Sequence, residues 1–397
     1  MKSRGTTRKM QIVMILYNSL PFDPRVFKEA YVLSEAGYDV SVLDVDLKLG
    51  ESPIPRGVTR RTVLKTSFLK RTSVGGVFRF WMACLKYLVQ NRQSIDIVHA
   101  HDLTGLPPAF AISVLCPRIR LVYDSHENFP EAAMDELSYL HYAVFLGLEL
   151  VCSTRVDWLF SVSPCCLRTL SHRIGAHPFL LMNVPDLGRI ESQLGYIPRW
   201  KPPRNDGAVR IVCPSVIRAR RGFERLPEAA EILNATDVAR FEFLIVGDGP
   251  LLPYLRRVVE ERGLEDYFTF TGRVSFEEVL RIMVECDMAI AMYEEGWNTN
   301  SGLSNKIFEY MMVGVPFIYS NLTQSLPLLE RVNAYILQNP TSAQDIANAI
   351  LTLSDSPARM MEISEKGPPL IINRFNWSKE SERLLRVYRE IHEEVFG

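Results

Sequence analysis

The sequence predicts an α/β protein of two Rossmann-like parallel-sheet domains facing each other across a cleft. Two observations carry that expectation. Short apolar runs alternate with segments of helical periodicity, which is βαβ grammar and implies a parallel sheet. The pattern stops at a proline-rich stretch and then begins again, so the sheet is built twice. The 397 residues suffice for two domains of ordinary size.

In the first half, residues 11–17 are a buried strand followed by the turn-forming loop NSLPFDP at 18–24. Residues 25–36 place Val26, Ala30, Leu33 and Ala36 on one helical face, Gly37 ends it, and 38–45 is the second strand. Residues 47–64 read as irregular, with Pro53, Pro55 and Gly57. Residues 65–92 interleave Lys65, Lys70, Arg71, Arg79, Lys86 and Arg92 with aromatic residues. Such a helix either packs one face on the core or lies on an anionic membrane surface.

Strand 95–100 delivers His99, His101 and Asp102 to its carboxyl end, and strand 120–123 delivers Asp124, Ser125, His126 and Glu127. Ligands of open α/β sheets lie beyond those ends, so His101 and His126 are candidates for chemistry. No third ligand is spaced to make them a metal site. Residues 131–155 read as one long apolar helix, 158–163 and 180–184 as strands, and 186–207 as the linker.

The second half begins with strand 209–214 and a loop, SVIRARRG, crowded with Arg218, Arg220 and Arg221. Strand 241–246 feeds Gly247-Asp248-Gly249-Pro250, whose glycines permit close backbone approach or simply a tight turn. Strand 268–271 leads to Gly272 and Arg273, and strand 288–292 leads to the most informative stretch, SGLSNKIFEYMMVGVPFIY at 301–319.

There Ser304 is a helix N-cap, Gly314 suits the left-handed C′ position, and Pro316 stops the helix. The free N–H groups of that first turn, with Lys306 nearby, make an anion site. Glu309 lies one turn on, beside Lys306, where a carboxylate can accept from two ribose hydroxyls; the plainer alternative is a surface ion pair. Arg218, Arg221, Arg273 and Lys306 gather near strand ends, enough charge for two phosphates without a metal. Asp44-Val45-Asp46 spells DxD but ends a first-half strand, so it is taken as a chance match.

Composition narrows the partners. A net charge of −1 offers no global field for nucleic acid. Seven cysteines without framework spacing suit a reducing compartment. No apolar run reaches the roughly 18 residues of a membrane span, and the basic N-terminus leads into a strand rather than a signal peptide.

On SNKIFEYMMVGVPFI at 304–318, with DPRVFKEAYVLSEAGYDVSVL from Asp23, IVHAHD from Ile97, LVYDSHE from Leu121, IVGDGP from Ile245 and TGRV from Thr271, the chain resembles retaining GT-B glycosyltransferases of family 4, the group 1 type. The resemblance covers nearly the whole chain in family order. It implies a nucleotide-diphospho-sugar donor, UDP- or GDP-linked. The gathered cations lead to an expectation of no metal cofactor, and the 65–92 segment to one of a membrane-surface enzyme whose acceptor is a polysaccharide, a lipid-linked sugar or a small molecule. By the resemblance, His126, Arg221 and Lys306 are catalytic. Arg218, Gly247, Gly249, Arg273, Ser301, Gly302, Leu303, Ser304, Ile307 and Glu309 bind the donor, with Glu309 on the ribose, and Asp23 and His101 lie on the acceptor side. The expected domains are 1–195, 205–375 and a helix, 376–397, that crosses back to the first.

The chain departs from the family at three points. Ser301 stands where a second glutamate is usual, Val216 where an arginine is usual, and Ser19-Leu20-Pro21 replaces a glycine-rich loop. Two rival readings follow: an inactive nucleotide-binding partner subunit, suggested by Ser301, and a sugar-nucleotide epimerase. The expected setting is the cytoplasm, including its face of the membrane, in bacterial cell-surface polysaccharide or glycolipid assembly.

Overall fold

The computed structural model describes residues 8–47, 53–66, 73–202, 207–236 and 238–396. Phe68, Lys70 and Arg71 of the basic segment, and Pro203 of the linker, lie outside the described residues. The chain forms two compact units, Met1–Asn183 with Glu380–Gly397, and Val184–Lys379.

Unit 1 carries a seven-stranded parallel sheet in the order β3-β2-β1-β4-β5-β6-β7. Its strands are β1 Gln11–Ile15, β2 Asp39–Asp46, β3 Thr59–Lys65, β4 Ile97–His101, β5 Arg120–Ser125, β6 Trp158–Ser161 and β7 His177–Leu180. The central strands are buried over nearly their full length because helices cover both faces. On one face Phe80, Cys84 and Leu88 of helix Val74–Asn91, Leu106, Ala109 and Ile112 of helix Asp102–Leu115, and Cys152 of helix Tyr139–Ser153 share a core with Val13, Ile15, Val98 and Leu121. Unit 1 is completed by the return of the chain after unit 2. Leu384, Tyr388 and Ile391 of helix Trp377–Phe396 are fully buried, and Glu380 accepts the Met182 N–H at 3.0 Å.

Unit 2 carries a six-stranded parallel sheet in the order β10-β9-β8-β11-β12-β13. The strands are β8 Ala208–Pro214, β9 Arg240–Val246, β10 Phe268–Gly272, β11 Met288–Ala291, β12 Phe317–Ser320 and β13 Tyr335–Leu337. The chain winds away from β8 in both directions, so β8 and β11 flank the point where strand order reverses. Two orders that each turn at a central strand, with all neighbours parallel, make both units Rossmann-like.

Four expectations are corrected. Residues 59–65 are a strand, not irregular: TRRTVLK mixes charge with apolar residues because β3 is an edge with one neighbour. Residues 131–155 are two helices, Phe129–Glu136 and Tyr139–Ser153, divided where Ser138 turns extended and caps the second. The strand placed at 180–184 is β7, at His177–Leu180. The linker contains helix Leu187–Leu194, capped by the Asp186 side chain and ended by Gly195 at φ 77°.

Candidate functional site

In unit 2 the strand-end chemistry converges where β8 and β11 lie side by side. Helix Asn305–Val313 begins with Ser304, whose Oγ accepts from the Lys306 N–H at 3.3 Å, and ends at Gly314 with φ 74°. A Cβ at Gly314 would come within 2.9 Å of the Ser364 carbonyl, and one at Gly367 within 2.8 Å of Met311 O. The helix is therefore seated tightly on helix Pro357–Asn373, and its first turn is held firmly in place.

Lys306 Nζ meets Glu309 Oε2 at 2.9 Å. Burial works against the Lys306 charge, but Glu309 outweighs it and raises the ammonium pKa. Tyr293, just after β11, lies outside the set expected from sequence and joins the parts. Its hydroxyl bonds Ser304 Oγ at 2.8 Å, its ring lies 4.4 Å beneath the Arg221 guanidinium, and its backbone N–H donates to Ser320 Oγ at 2.7 Å. An aromatic residue two past a strand end is its only sequence signal.

The other expected donor residues are placed as follows. Arg218 is half-buried in the loop after β8. Arg273 is exposed after β10, the edge strand, two strands from β8. Gly302 and Leu303 are half-buried in the turn before Ser304, and Ile307 is fully buried, so its side chain packs the core. Ser301 is buried at the end of the short helix Trp297–Ser301, donating to Asn298 O at 3.2 Å. Glu294 lies 3.8 Å from Arg220, whose Nη2 donates to Glu295 O at 2.7 Å. The missing side chains of Gly247 and Gly249 are explained by packing: a Cβ would stand 2.0 Å from Ser215 O and 2.2 Å from Ile217 O. These glycines let the 247–251 turn close on the loop after β8, with Ile217 N–H donating to Asp248 O at 3.0 Å.

In unit 1, β4 and β5 present a connected network. Arg25, from helix Pro24–Glu35, bonds both Asp124 oxygens at 2.8 and 2.9 Å and the Leu181 carbonyl at 2.9 Å. His126 Nε2 lies 3.2 Å from His101 Nδ1 and 3.3 Å from Asp124 Oδ2, and its Nδ1 lies 3.4 Å from Asp102 Oδ2. His101 stacks on His99 at 4.3 Å, and His99 Nδ1 bonds the Tyr388 hydroxyl at 2.7 Å. Asp23 caps its helix by accepting the Val26 N–H at 3.1 Å.

The charges in this network are set by competition. Burial opposes a charged His126, but Asp102 and Asp124 push its pKa up to about 10. Burial holds His99 and His101 below the ordinary histidine value. His126 Nε2 and His101 Nδ1 are close enough to share one hydrogen bond. Burial first, then Asp124, pushes Glu29 up to about 8 against the pull of Arg25.

A set that does not include His126 has donor atoms close enough to hold an ion. Glu29, His99, His101 and Asp124 bring potential ligand atoms within 4.8 Å of one another. The donor types suit a divalent ion. Arg25 already supplies the positive charge there, 3.1 Å from Glu29 and bidentate on Asp124, and an ion would have to compete with it. The set is an ion-pair network built around a guanidinium.

Residues 208–356 match the family model described as glycosyl transferases group 1. The chain is similar to a 2-deoxystreptamine glucosyltransferase of Streptomyces kanamyceticus, 23% identical over 83% of this chain and 84% of that one. It is also similar to an alpha-D-kanosaminyltransferase of the same organism, at 29% identity; that match spans less than half of the relative, 44% of either chain. Among solved structures, a sucrose-phosphate synthase from Thermosynechococcus elongatus superposes with a TM-score of 0.74 at 16% identity, covering 97% of this chain and all (100%) of that one. Anabaena HepE in complex with UDP and glucose gives 0.70 at 16% identity over 96% of this chain and 100% of its own. The fold is that of the GT-B glycosyltransferases. Within unit 2, residues 208–356 are similar to group 1 glycosyltransferases.

Proposed function

We propose that the protein is a retaining glycosyltransferase that takes its sugar from a nucleotide-diphospho-sugar, UDP- or GDP-linked. One observation carries this reading: Lys306, in the first turn of a capped helix, pairs with Glu309 one turn on, and the helix cap Ser304 is joined through Tyr293 to Arg221. A pyrophosphate needs cations and N–H donors, and a ribose needs a carboxylate within one helical turn of them. Glu309 Oε2 keeps Lys306 while Oε1 takes the ribose hydroxyls. Anabaena HepE, which shares the fold and was solved with UDP and glucose, supports a donor of this class.

Cleavage of the donor leaves negative charge on the distal phosphate. Arg221, Arg218 and Lys306 stabilise that charge as it develops, so no metal is invoked. His126, held as an imidazolium, orients the donor sugar. With no carboxylate nucleophile assigned, an acceptor hydroxyl attacks from the leaving-group face as the bond from the anomeric carbon to the phosphate oxygen breaks, its proton passes to the departing nucleoside diphosphate, and the anomeric configuration is kept. The acceptor is proposed to be a glycan or a lipid-linked sugar. A second reading, an inactive nucleotide-binding subunit, rests on Ser301 in place of a glutamate.

A melting-temperature panel of UDP, GDP, ADP and their common sugars tests the donor site. One nucleotide class should raise the melting temperature, and no response to any would end the proposal. Product analysis of donor hydrolysis then separates an active enzyme from a passive subunit. Undiminished transfer in EDTA tests the metal-free chemistry.

A further inference from the structure

The three helices on the core side of the unit 1 sheet leave an unusual outer surface. Their inner residues share one core, so their outer residues face away on the same side. Helix Asp102–Leu115 sits between the other two and packs against both; it is buried or half-buried as far as Ser113. Its neighbours form the outer ridges.

On helix Tyr139–Ser153, Leu140, Val144 and Val151 follow one face and are 71%, 57% and 59% exposed. On helix Val74–Asn91, Phe78 and Met82 follow one face and are 58% and 51% exposed. A single exposed apolar residue is ordinary, but two helices each presenting a stripe on one side are not.

The exposed charges of these helices and their carboxyl ends all have one sign. Helix Val74–Asn91 contains no acidic residue, and the sole acid of helix Tyr139–Ser153, Glu149, is fully buried against Tyr123. Arg79 and Lys86 are exposed on the first ridge, and Arg92, Arg118 and Arg155 are exposed at or beyond the carboxyl ends of the three helices. Asp135 and Glu136 precede the second ridge but belong to neither helix.

Apolar side chains whose exposed charged neighbours, among the described residues of the two ridges, are all cations match one partner: a surface of negative headgroups over hydrocarbon. We propose that the outer faces of helices Val74–Asn91 and Tyr139–Ser153 dock unit 1 on an anionic lipid bilayer. This deepens the lipid-linked-acceptor reading above and rests on it for its purpose, though not for its geometry. Leu140, Val144, Phe78 and Met82 enter the headgroup boundary, and the arginines and lysine meet the phosphates.

Vesicle co-sedimentation of the full chain tests it, with phosphatidylcholine alone and with added phosphatidylglycerol. Binding should require the anionic lipid and weaken as salt rises. The variant Leu140→Ser/Val144→Ser should lower the partition coefficient about tenfold, and Arg79→Glu/Lys86→Glu by about fivefold per charge. The melting temperature and the nucleotide response should be unchanged, so loss of the donor reading and loss of this one are separately visible. Equal binding to neutral vesicles, no binding at low salt, or binding indifferent to both variants would overturn the proposal. So would a dimer in light scattering that the serine variant dissolves, since a second copy would then cover the face.

Discussion

Asp102 holds His126 twice. Its Oδ1 accepts the His126 backbone N–H at 2.9 Å, and its Oδ2 lies 3.4 Å from the ring Nδ1. To do so Asp102 adopts φ 57°, a left-handed conformation that a non-glycine residue enters at a cost.

Asp102→Ala should therefore lower the His126 pKa by about one unit or more and reduce transfer, read by imidazole NMR and by initial rates. Asp102→Gly relieves the backbone without restoring the carboxylate, so it should recover stability but not the pKa. The raised His126 pKa adds stability that is complete below the unfolded value near 6.5 and is lost as pH rises through about 10. In Asp102→Ala that alkaline decline should be shallower.

Glu29 makes the opposite prediction at neutral pH. A carboxyl raised to about 8 keeps a proton that the unfolded chain releases, so it erodes stability progressively from about pH 4.5 to 8. Glu29→Gln should match the parent below pH 4.5 and exceed it above pH 8 by on the order of 1–2 kcal/mol in urea denaturation. A variant less stable than the parent at about pH 8.5 would contradict the assignment.

Gly249→Ala drives a methyl group into the Ile217 carbonyl, 2.2 Å away. The loop after β8 must move, at a cost of about 2 kcal/mol. Donor affinity should fall together with the urea midpoint, whereas a glycine serving only ligand approach would lower affinity alone.

Lys306→Ala and Glu309→Ala should each weaken nucleotide-sugar binding by about tenfold in calorimetry, the scale of one charged hydrogen bond. A base panel distinguishes them. Lys306→Ala should affect diphosphates far more than nucleosides, and Glu309→Ala should affect both. Affinity unchanged from the parent in both variants would remove the donor site from this helix.

The fold was legible because its grammar is local. Alternation of apolar runs with 3.6-periodic segments marks each strand and crossover, and Gly314 and Ser304 mark the ends of the site helix unaided. Edge strand β3 was hidden because half-exposed TRRTVLK lacks the apolar run of its buried neighbours. Ser138 hid a helix boundary, since the apolar residues on either side of it read continuously. The Lys306–Glu309 pair was legible from i, i+3 spacing. Arg25, Glu29 and Tyr388 were not, because their meeting with the histidines depends on strand register and on a helix 289 positions away from His99. Long-range pairing of this kind has no signature in a local window.

The dependence of unit 1 on helix Trp377–Phe396 bears on its synthesis. Tyr388 and Ile391 leave the ribosome after all of unit 2, yet they fill a core whose other walls emerge before it. The amino-terminal unit thus waits, incomplete, while the second is translated, and its apolar seam must be shielded through that interval. A nonsense codon just past unit 2 would strand the earlier-made part of the protein, not the later.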